Sequence, residues 1–424
     1  MDYGEGTVVN EMRKRPFVRP LIFWITGTVL QTCFPLQTVS LLLFAGVAVF
    51  VVVSFFVSGK SFSYRSRWVW GVLFACLLIF LSIQRMSLAE RQAGRTTERS
   101  LLMEKAGEYQ ERMVNRLDSL HLSDEEKSVL ATLTVNYRRN MPRSVSRQFS
   151  VTGLSHLLSV SGFHVGIISV FISMILSFMS ERVVFFRYLR YLLTILIIWM
   201  FTYTTGLATA AVRAAVMISI YLAGRMLVRR PDKYNTLAGA AFCMLVYNPL
   251  YLFDIGFQLS YTAVFFILYL QPRLNRFAEV RNPLLASPWN TLTVTVSAQI
   301  GTVFLCFHYF GQSSLVFLFT NLFLSLLATI LIPATLLWMT VPAWIPGTGI
   351  LRWAIEAMTG SMMWVVERFS SIPGATVSIR FDFFTLVLSY LSLGLIMLYF
   401  RSRKFELLFA FLLTLFVILC WHLI

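Results

Sequence analysis

The sequence predicts an all-α polytopic integral membrane protein with roughly 11 to 13 transmembrane helices. Hydrophobic residues make up 57% of the chain, and the mean hydropathy is +0.71. Apolar runs long enough to cross a bilayer recur along most of the sequence. The formal charge of +16 lies mostly between these runs, as the positive-inside rule and anionic lipids favour.

Residues 1–84 form a predicted N-terminal membrane anchor. The spans expected there are Val18–Phe34, Leu36–Val57 and Val69–Gln84. A basic loop with Lys60, Arg65 and Arg67 separates the second span from the third, so we expect this loop and the N-terminus to be cytoplasmic.

Residues 85–148 form a predicted helical, charged segment. Three crossings before it place it outside the cytoplasm, and its length exempts it from the charge rule. Ser123 is followed three residues later by Glu126, a pattern that predicts a capped helix start. A short amphipathic piece, Phe149–Val160, is expected to follow and to lead into the membrane.

Residues 149–341 form the predicted membrane core. Its expected spans are Phe163–Met179, Tyr188–Tyr203, Leu207–Gly224, Tyr234–Val246, Ile255–Leu270, Leu292–Phe307 and Leu315–Val341. Alternating crossings place three successive basic loops in the cytoplasm, which supports this order of spans.

Residues 342–424 are predicted to hold an amphipathic helix, Leu351–Phe369, and further spans that end with Glu406–Trp421. The basic loop Arg401–Lys404 requires one additional crossing if it is cytoplasmic. Either the amphipathic helix crosses the membrane or the run that contains Pro333 is a broken hairpin. The sequence leaves both alternatives open.

The first polar motif lies between His156 and Gly166, at the mouth of an apolar run. Unpaired polar groups are costly in hydrocarbon, so the cluster should face protein, water or a substrate. Gly162 permits a break in the chain, as in a re-entrant entry site. The residues expected to line a substrate pathway here are His156, Ser159, Ser161, Gly162 and His164. The serines can instead satisfy freed backbone groups, and the histidines can cap or pack. Their spacing excludes a zinc site.

Two further motifs are expected at the same depth. Arg213 lies about two turns inside a helix rich in small residues, where an arginine costs roughly 2.5 to 3.5 kcal/mol, so it needs a carboxylate, a water-filled cavity or an anionic ligand. Asp254, Gln258 and Ser260 begin another span. Asp254 is either the partner of Arg213 or an N-cap. The three motifs together predict an outward-facing polar vestibule that forms the pathway.

The opposite, cytoplasmic end carries an inner basic loop, in which the basic residues are Arg225, Arg229, Arg230 and Lys233. These side chains either receive an emerging anion or anchor the loop to lipid headgroups. The five cysteines are scattered through apolar runs, so we expect no disulfide framework, metal or cofactor. No phosphate-binding loop of the ATPase type is present in the sequence, and we expect no enzymatic activity and an energy source supplied by a partner.

The motifs resemble the competence domain of the ComEC family, the channel proteins that bring single-stranded DNA across the bacterial cytoplasmic membrane. The similarity covers roughly residues 120–340. The residues that carry it are Gly153–Gly166, Arg213-Ala214, Arg230-Pro-Asp232 with Asn235, Asn248-Pro249 and Asp254–Ser260.

The resemblance implies a multi-pass protein of the bacterial inner membrane, with single-stranded DNA and membrane lipids as partners. Full-length members of the family resemble three-part proteins with an OB-like domain and a metallo-β-lactamase-like nuclease domain. We expect neither here, because residues 85–150 are too helical and a His-x-His-x-Asp-His run is missing from the sequence. A nuclease, receptor or motor would then be a separate protein. Two alternatives stay open: a transporter or exporter of a lipid-linked or small anionic molecule, and a membrane scaffold that transports nothing.

Overall fold

The computed structural model describes residues 14–34, 46, 67–93, 101–228, 231–278, 280, 282–341 and 347–423. Helices dominate these residues, which confirms the predicted all-α membrane fold. Within the described part, seven helices are long and apolar enough to cross a membrane, and Gly162–Phe178 and Phe405–Trp421 are shorter apolar helical stretches. Apart from residue 46, the predicted span Leu36–Val57 lies outside the described residues.

The α-helices within the described residues are numbered in chain order. Their bounds are α1 Val18–Cys33, α2 Arg67–Ala93, α3 Leu101–Asn115, α4 Asp124–Val135, α5 Arg143–Val151, α6 Gly162–Ile175, α7 Val184–Thr204, α8 Thr209–Met226, α9 Lys233–Tyr247, α10 Ile255–Leu274, α11 Pro283–Phe310, α12 Phe317–Thr340, α13 Thr348–Ser370, α14 Phe383–Ser402 and α15 Phe405–Leu423. Short 3₁₀ helices cover Arg116–Ser119, Leu176–Phe178, Pro249–Phe253 and Asn275–Phe277.

Packing divides the chain into two compact units. The first unit consists of Met1–Arg112 and Ser161–Tyr261, and the second consists of Met113–Val160 and Thr262–Ile424. The boundary between Val160 and Ser161 therefore falls within the first polar motif.

In the first unit, α1 packs closely against α2 because a glycine faces the contact. A Cβ atom at Gly27 would lie 2.6 Å from the carbonyl oxygen of Ile79. The neighbouring hydroxyls of Thr28 and Ser82 are hydrogen bonded at 3.0 Å. The indole of Trp24 donates to the carbonyl of Leu245 at 3.2 Å, which ties α1 to α9. Lipid tails are as apolar as the side chains of these helices, so hydrophobic burial does little to drive the helices together. Close packing at small residues and hydrogen bonds between hydroxyls stabilise the contact instead.

In the second unit, α12 packs against α11, α13 and α4. The predicted capping box at Ser123 and Glu126 is confirmed at the start of α4. The segment that contains α4 and α5 follows α12 along its length. Arg116 donates to the carbonyl of Val341 beyond one end of α12 at 2.8 Å, and Thr320 near the other end donates to the carbonyl of Thr152 at 2.9 Å.

Three details differ from the expectations or complete them. The helix α12 continues through Pro333, so the broken hairpin is wrong, whereas the amphipathic helix forms as α13. The amphipathic piece predicted over Phe149–Val160 is wrong in its bounds: the amphipathic helix is α5, Arg143–Val151, and the residues after it are not helical, because Gly153 turns the chain with φ of +77°. Two three-residue strands, β1 Gln312–Ser314 and β2 Thr376–Ser378, pair in antiparallel orientation and were not predicted.

Candidate functional site

In the first unit, the beginning of α8 contacts the beginnings of two other helices. A Cβ atom added to Gly162, at the start of α6, would lie 3.7 Å from the Cβ atom of Ala214. The neighbouring Arg213 reaches Asp254, the residue just before α10, with 3.5 Å between Nη1 and Oδ1. Parts of all three predicted motifs therefore meet at residues 213 and 214 of α8.

The Arg213 guanidinium is buried, with 4% of the residue exposed. Its partner Asp254 is different, since 47% of that side chain is exposed. Asp254 Oδ1 also accepts a hydrogen bond from the backbone N–H of Phe257 at 2.7 Å. The carboxylate is thus both the ion-pair partner and the N-cap of α10, the two roles that the sequence left as alternatives.

Gly256 makes room for this ion pair. A Cβ atom there would lie 3.1 Å from Arg213 Nη2 and 3.1 Å from Asp254 Oδ1, tighter than ordinary van der Waals contact. Local sequence gives no sign of this requirement, because the guanidinium comes from a helix more than forty residues earlier in the chain.

Three further polar residues stand in the first two turns of α10. Gln258 is partly buried and donates through Nε2 to the carbonyl of Leu252 at 3.0 Å, which ties α10 to the preceding 3₁₀ helix. Ser260 is partly buried on the same helix. The Tyr261 hydroxyl lies 3.8 Å from the sulfur of Met244 on α9.

Ser161 and His164 cap the start of α6 reciprocally. The Ser161 hydroxyl accepts from the N–H of Phe163 at 3.3 Å, and His164 Nδ1 accepts from the N–H of Ser161 at 3.2 Å. His164 is fully buried. Because Nδ1 is an acceptor, hydrogen-bond geometry assigns the proton of the neutral ring to Nε2. This arrangement is a capping box with an imidazole in place of the usual carboxylate, and it supports the capping alternative for His164.

His156 and Ser159 belong to the second unit. His156 is exposed, and its Nδ1 lies 3.2 Å from the carbonyl oxygen of Gly153. Its ring meets that of Phe317 edge to face at 5.9 Å between centroids. Although the residue is accessible at the surface, desolvation by nearby protein atoms lowers the pKa of His156, and hydrogen bonds with the carbonyl of Gly153 and with the Asn321 side chain oppose this shift.

Asn321 was not among the predicted site residues. Its side chain is 8% exposed and donates to the hydroxyl of Thr295 on α11 at 2.7 Å. An asparagine near the start of the apolar helix α12 was the available signal.

The basic end of α8 has an acidic partner. Arg225 pairs with Glu181 at 3.5 Å and donates to the Tyr191 hydroxyl at 3.4 Å. Lys233 is exposed at the start of α9, whereas Arg229 and Arg230 lie outside the described residues. Glu181, which also pairs with Arg190 at 3.4 Å, was missed because the charge rule counts basic residues alone.

The motif around Asp232 and Asn235 fastens the N-terminal segment. Asp232 caps α9 by accepting the N–H of Asn235 at 2.7 Å, and it pairs with Arg15 at 3.3 Å. Asn235 in turn accepts the N–H of Phe17 at 2.9 Å. Across the described ranges, groups of three or more His, Cys, Asp or Glu side chains that could hold a metal are not found.

Comparison with known proteins adds a family match. The competence protein family matches residues 133–404. ComE operon protein 3 of Bacillus subtilis (strain 168) is 31% identical over 196 residues, which are 46% of this chain and 24% of that protein. An uncharacterized protein of Aquifex aeolicus (strain VF5) is 29% identical over 140 residues, 33% of this chain and 32% of that protein. The matches thus span a third or less of the relatives' own lengths. No solved structure matches this chain.

Proposed function

Because the chain belongs to the competence protein family, we propose that it passes single-stranded DNA across the bacterial inner membrane. Family membership and the apolar helices make it a competence-related, multi-pass membrane protein. The resemblance to the ComEC family, inferred from three short motifs, is confirmed. That the transported molecule is single-stranded DNA, and that the protein lies in the inner membrane, are parts of the proposal.

The observation that carries the proposal is the buried Arg213 inside a helix that is long and apolar enough to cross a membrane. An ionisable residue in such a helix is costly and usually marks a substrate or ion pathway. A purely structural ion pair would explain the burial of Arg213 as well. A purely structural pair does not explain why about half of the Asp254 side chain is exposed.

This asymmetry supports an exchange of partners. A phosphate that approaches the exposed Asp254 side can replace its carboxylate on the guanidinium, because both anions accept the same fork of N–H donors. Asp254 would then keep only its hydrogen bond with the N–H of Phe257. Arg213 would neutralise one phosphate at a time, and a strand could move on when the carboxylate returns.

The test is binding of a fluorescent oligodeoxynucleotide to the full chain in lipid nanodiscs over a series of salt concentrations. Each phosphate neutralised on a single strand contributes about 0.7 to the slope of log K against log salt. We expect Arg213→Met to weaken binding and to lower that slope by about 0.7. The matched control is Arg352→Met, which removes the same charge from α13, where Arg352 lies 4.0 Å from Glu356. The control should bind like the native chain.

Equal losses in the two variants would show non-specific attraction to positive charge and would contradict the proposed site. Lack of binding by the native chain at low salt would contradict the choice of DNA. Competition by a small anion or an amphiphile, with no response to the oligonucleotide, would favour the alternative transporter.

A further inference from the structure

A cavity of about 470 Å³ lies in the first unit, between α3 and the last turns of α7. Its volume is that of a small-molecule site, for which roughly 300 to 1,000 Å³ is usual. Tyr109 lines the cavity from α3. The residues that line it from α7 are Leu196, Trp199, Met200, Tyr203 and Thr204. Because these residues recur at intervals of three and four, they stand on one face of α7.

The helix α3 contacts the end of α7 beside this cavity. The ring of Tyr109 lies 6.5 Å from the ring of Tyr203, measured between centroids. A Cβ atom at Gly206, where φ is +70° and the chain turns toward α8, would lie 3.7 Å from Oε1 of Gln110. The cavity is thus formed where α3 meets the end of a helix that is long and apolar enough to cross a membrane.

The cavity continues an exposed apolar stripe of α7. Leu192, Leu196 and Met200 follow one another at intervals of four residues, and they are 60%, 55% and 60% exposed. Large apolar side chains that remain exposed together on one face mark a surface for lipid or for a partner. On a helix that can cross a membrane, a lipid acyl chain is the ordinary neighbour of such a stripe.

The charges of α3 are segregated around the helix. Lys105 and Arg112 are four residues before and three residues after Tyr109, so at about 100° per residue they lie within about 60° of it. The acidic residues lie about 100° to 160° from Tyr109. They are Glu104, Glu108 and Glu111. The basic side chains are therefore on the side of α3 that lines the cavity, and the acidic ones are not.

We infer that this cavity binds an anionic phospholipid of the membrane. One acyl chain would follow the exposed stripe of α7 and enter between Trp199 and Tyr203. The phosphate group would lie beside Lys105 and Arg112, since basic residues next to a membrane attract anionic lipids. Tyrosine and tryptophan are favourable at this level because their rings are apolar and carry one polar group.

Nucleobases could also stack on the three aromatic rings, with basic side chains nearby for phosphate. The exposed stripe favours lipid, because Leu196 and Met200 line the cavity and belong to the same apolar face as Leu192. The inference does not rest on the proposed function. A bound lipid would join α3 to the end of α7, from which the chain turns into α8 and reaches Arg213 in the second turn.

The test is photocrosslinking of the full chain in nanodiscs that contain equal amounts of phosphatidylglycerol and phosphatidylcholine. The photoreactive residue benzoylphenylalanine replaces Met200 inside the cavity or, as the matched control, Leu192 on the stripe outside it. Mass spectrometry identifies the crosslinked lipids. We expect the anionic lipid to be enriched at least about threefold over its share of the nanodisc at position 200, and to match its share at position 192.

Matched variants on α3 test the headgroup contact. Lys105→Gln combined with Arg112→Gln should abolish the enrichment at position 200, because the phosphate loses its cationic neighbours. Glu104→Gln combined with Glu108→Gln changes as many charges away from the cavity and should keep the enrichment. All four side chains are exposed, so the substitutions leave the fold intact. Enrichment that persists without the two basic residues, or equal lipid ratios at positions 192 and 200, would overturn the inference.

A labelled oligodeoxynucleotide distinguishes lipid from a nucleic acid strand. Added to the same nanodiscs, it should leave the lipids crosslinked at position 200 unchanged. Crosslinking of the oligonucleotide in their place would overturn the lipid site and would assign the aromatic rings to base stacking. If the chain binds no DNA at all, the proposed function fails, and the lipid ratios at positions 192 and 200 still decide this inference.

Discussion

Removing the charge of Arg213 and removing the charge of Asp254 should lower the free energy of unfolding by different amounts. Two unit charges 3.5 Å apart attract by about 5 kcal/mol at an effective dielectric constant of about 20. Asp254 is about half exposed, so water screens this attraction, and we discount it to about 2 kcal/mol.

Asp254→Asn keeps the N-cap, because the amide oxygen can accept the N–H of Phe257, but it leaves the buried guanidinium without a carboxylate. We expect it to lower the free energy of unfolding by about 2 kcal/mol. Arg213→Met removes the buried charge and leaves a carboxylate that water can solvate, so its effect should stay within about 1 kcal/mol. The double variant should match Arg213→Met alone.

The assay is reversible unfolding in mixed micelles of increasing SDS content, followed by far-ultraviolet circular dichroism. The double-mutant cycle gives the coupling between the two side chains directly. If Arg213→Met costs as much as Asp254→Asn, or if the double variant equals the sum of the single variants, then Asp254 does not compensate the buried charge and the partner-exchange mechanism fails.

Three further predictions use the same unfolding assay. Ser161→Ala should cost about 1 kcal/mol by removing the cap of α6, whereas Ser159→Ala should change stability by less than about 0.5 kcal/mol; equal effects would refute the capping role. Gly301→Ala should destabilise by about 1 to 3 kcal/mol, because its Cβ atom would lie 2.6 Å from a phenylalanine ring, whereas Gly394→Ala, with open space around it, should be neutral or stabilising; the reverse order would show that the helices are not in close contact at Gly301. Tyr390→Phe should cost about 1 kcal/mol, since the hydroxyl donates to the carbonyl of Gly301 at 2.6 Å, and an unchanged stability would rule out that bond.

The sequence predicted most membrane helices because hydrophobicity and charge are local properties. The helix α7 extends only a few residues beyond the predicted Tyr188–Tyr203. By contrast, α11 begins at Pro283, nine residues before the predicted Leu292. Proline is favourable in the first turn of a helix. The polar residues that follow Pro283 lower the local hydropathy, so a prediction based on hydropathy places the start of the helix too late. The strands β1 and β2 have three residues each, too few to show an alternating pattern.

The site was predictable where one residue's chemistry demanded a partner. A buried arginine needs a carboxylate, and Asp254 was named among the alternatives for that reason. The neutral pair of Thr295 and Asn321 was not predictable, because either residue is tolerable in an apolar helix and only the fold brings the two together. The space at Gly256 is likewise a property of the packed helices. Whether the predicted residues line a pathway stays a prediction.

The most direct test of single-stranded DNA transport is entry of labelled DNA into the cytoplasm of the competent parent organism. Nuclease-resistant label inside cells would be measured in the parent, in a deletion strain and in the deletion strain that carries the native gene. We expect the deletion strain to retain DNA bound at its surface and to lose the internal label, and the native gene to restore it. Internal label at the parental level in the deletion strain would contradict the proposed transport of DNA.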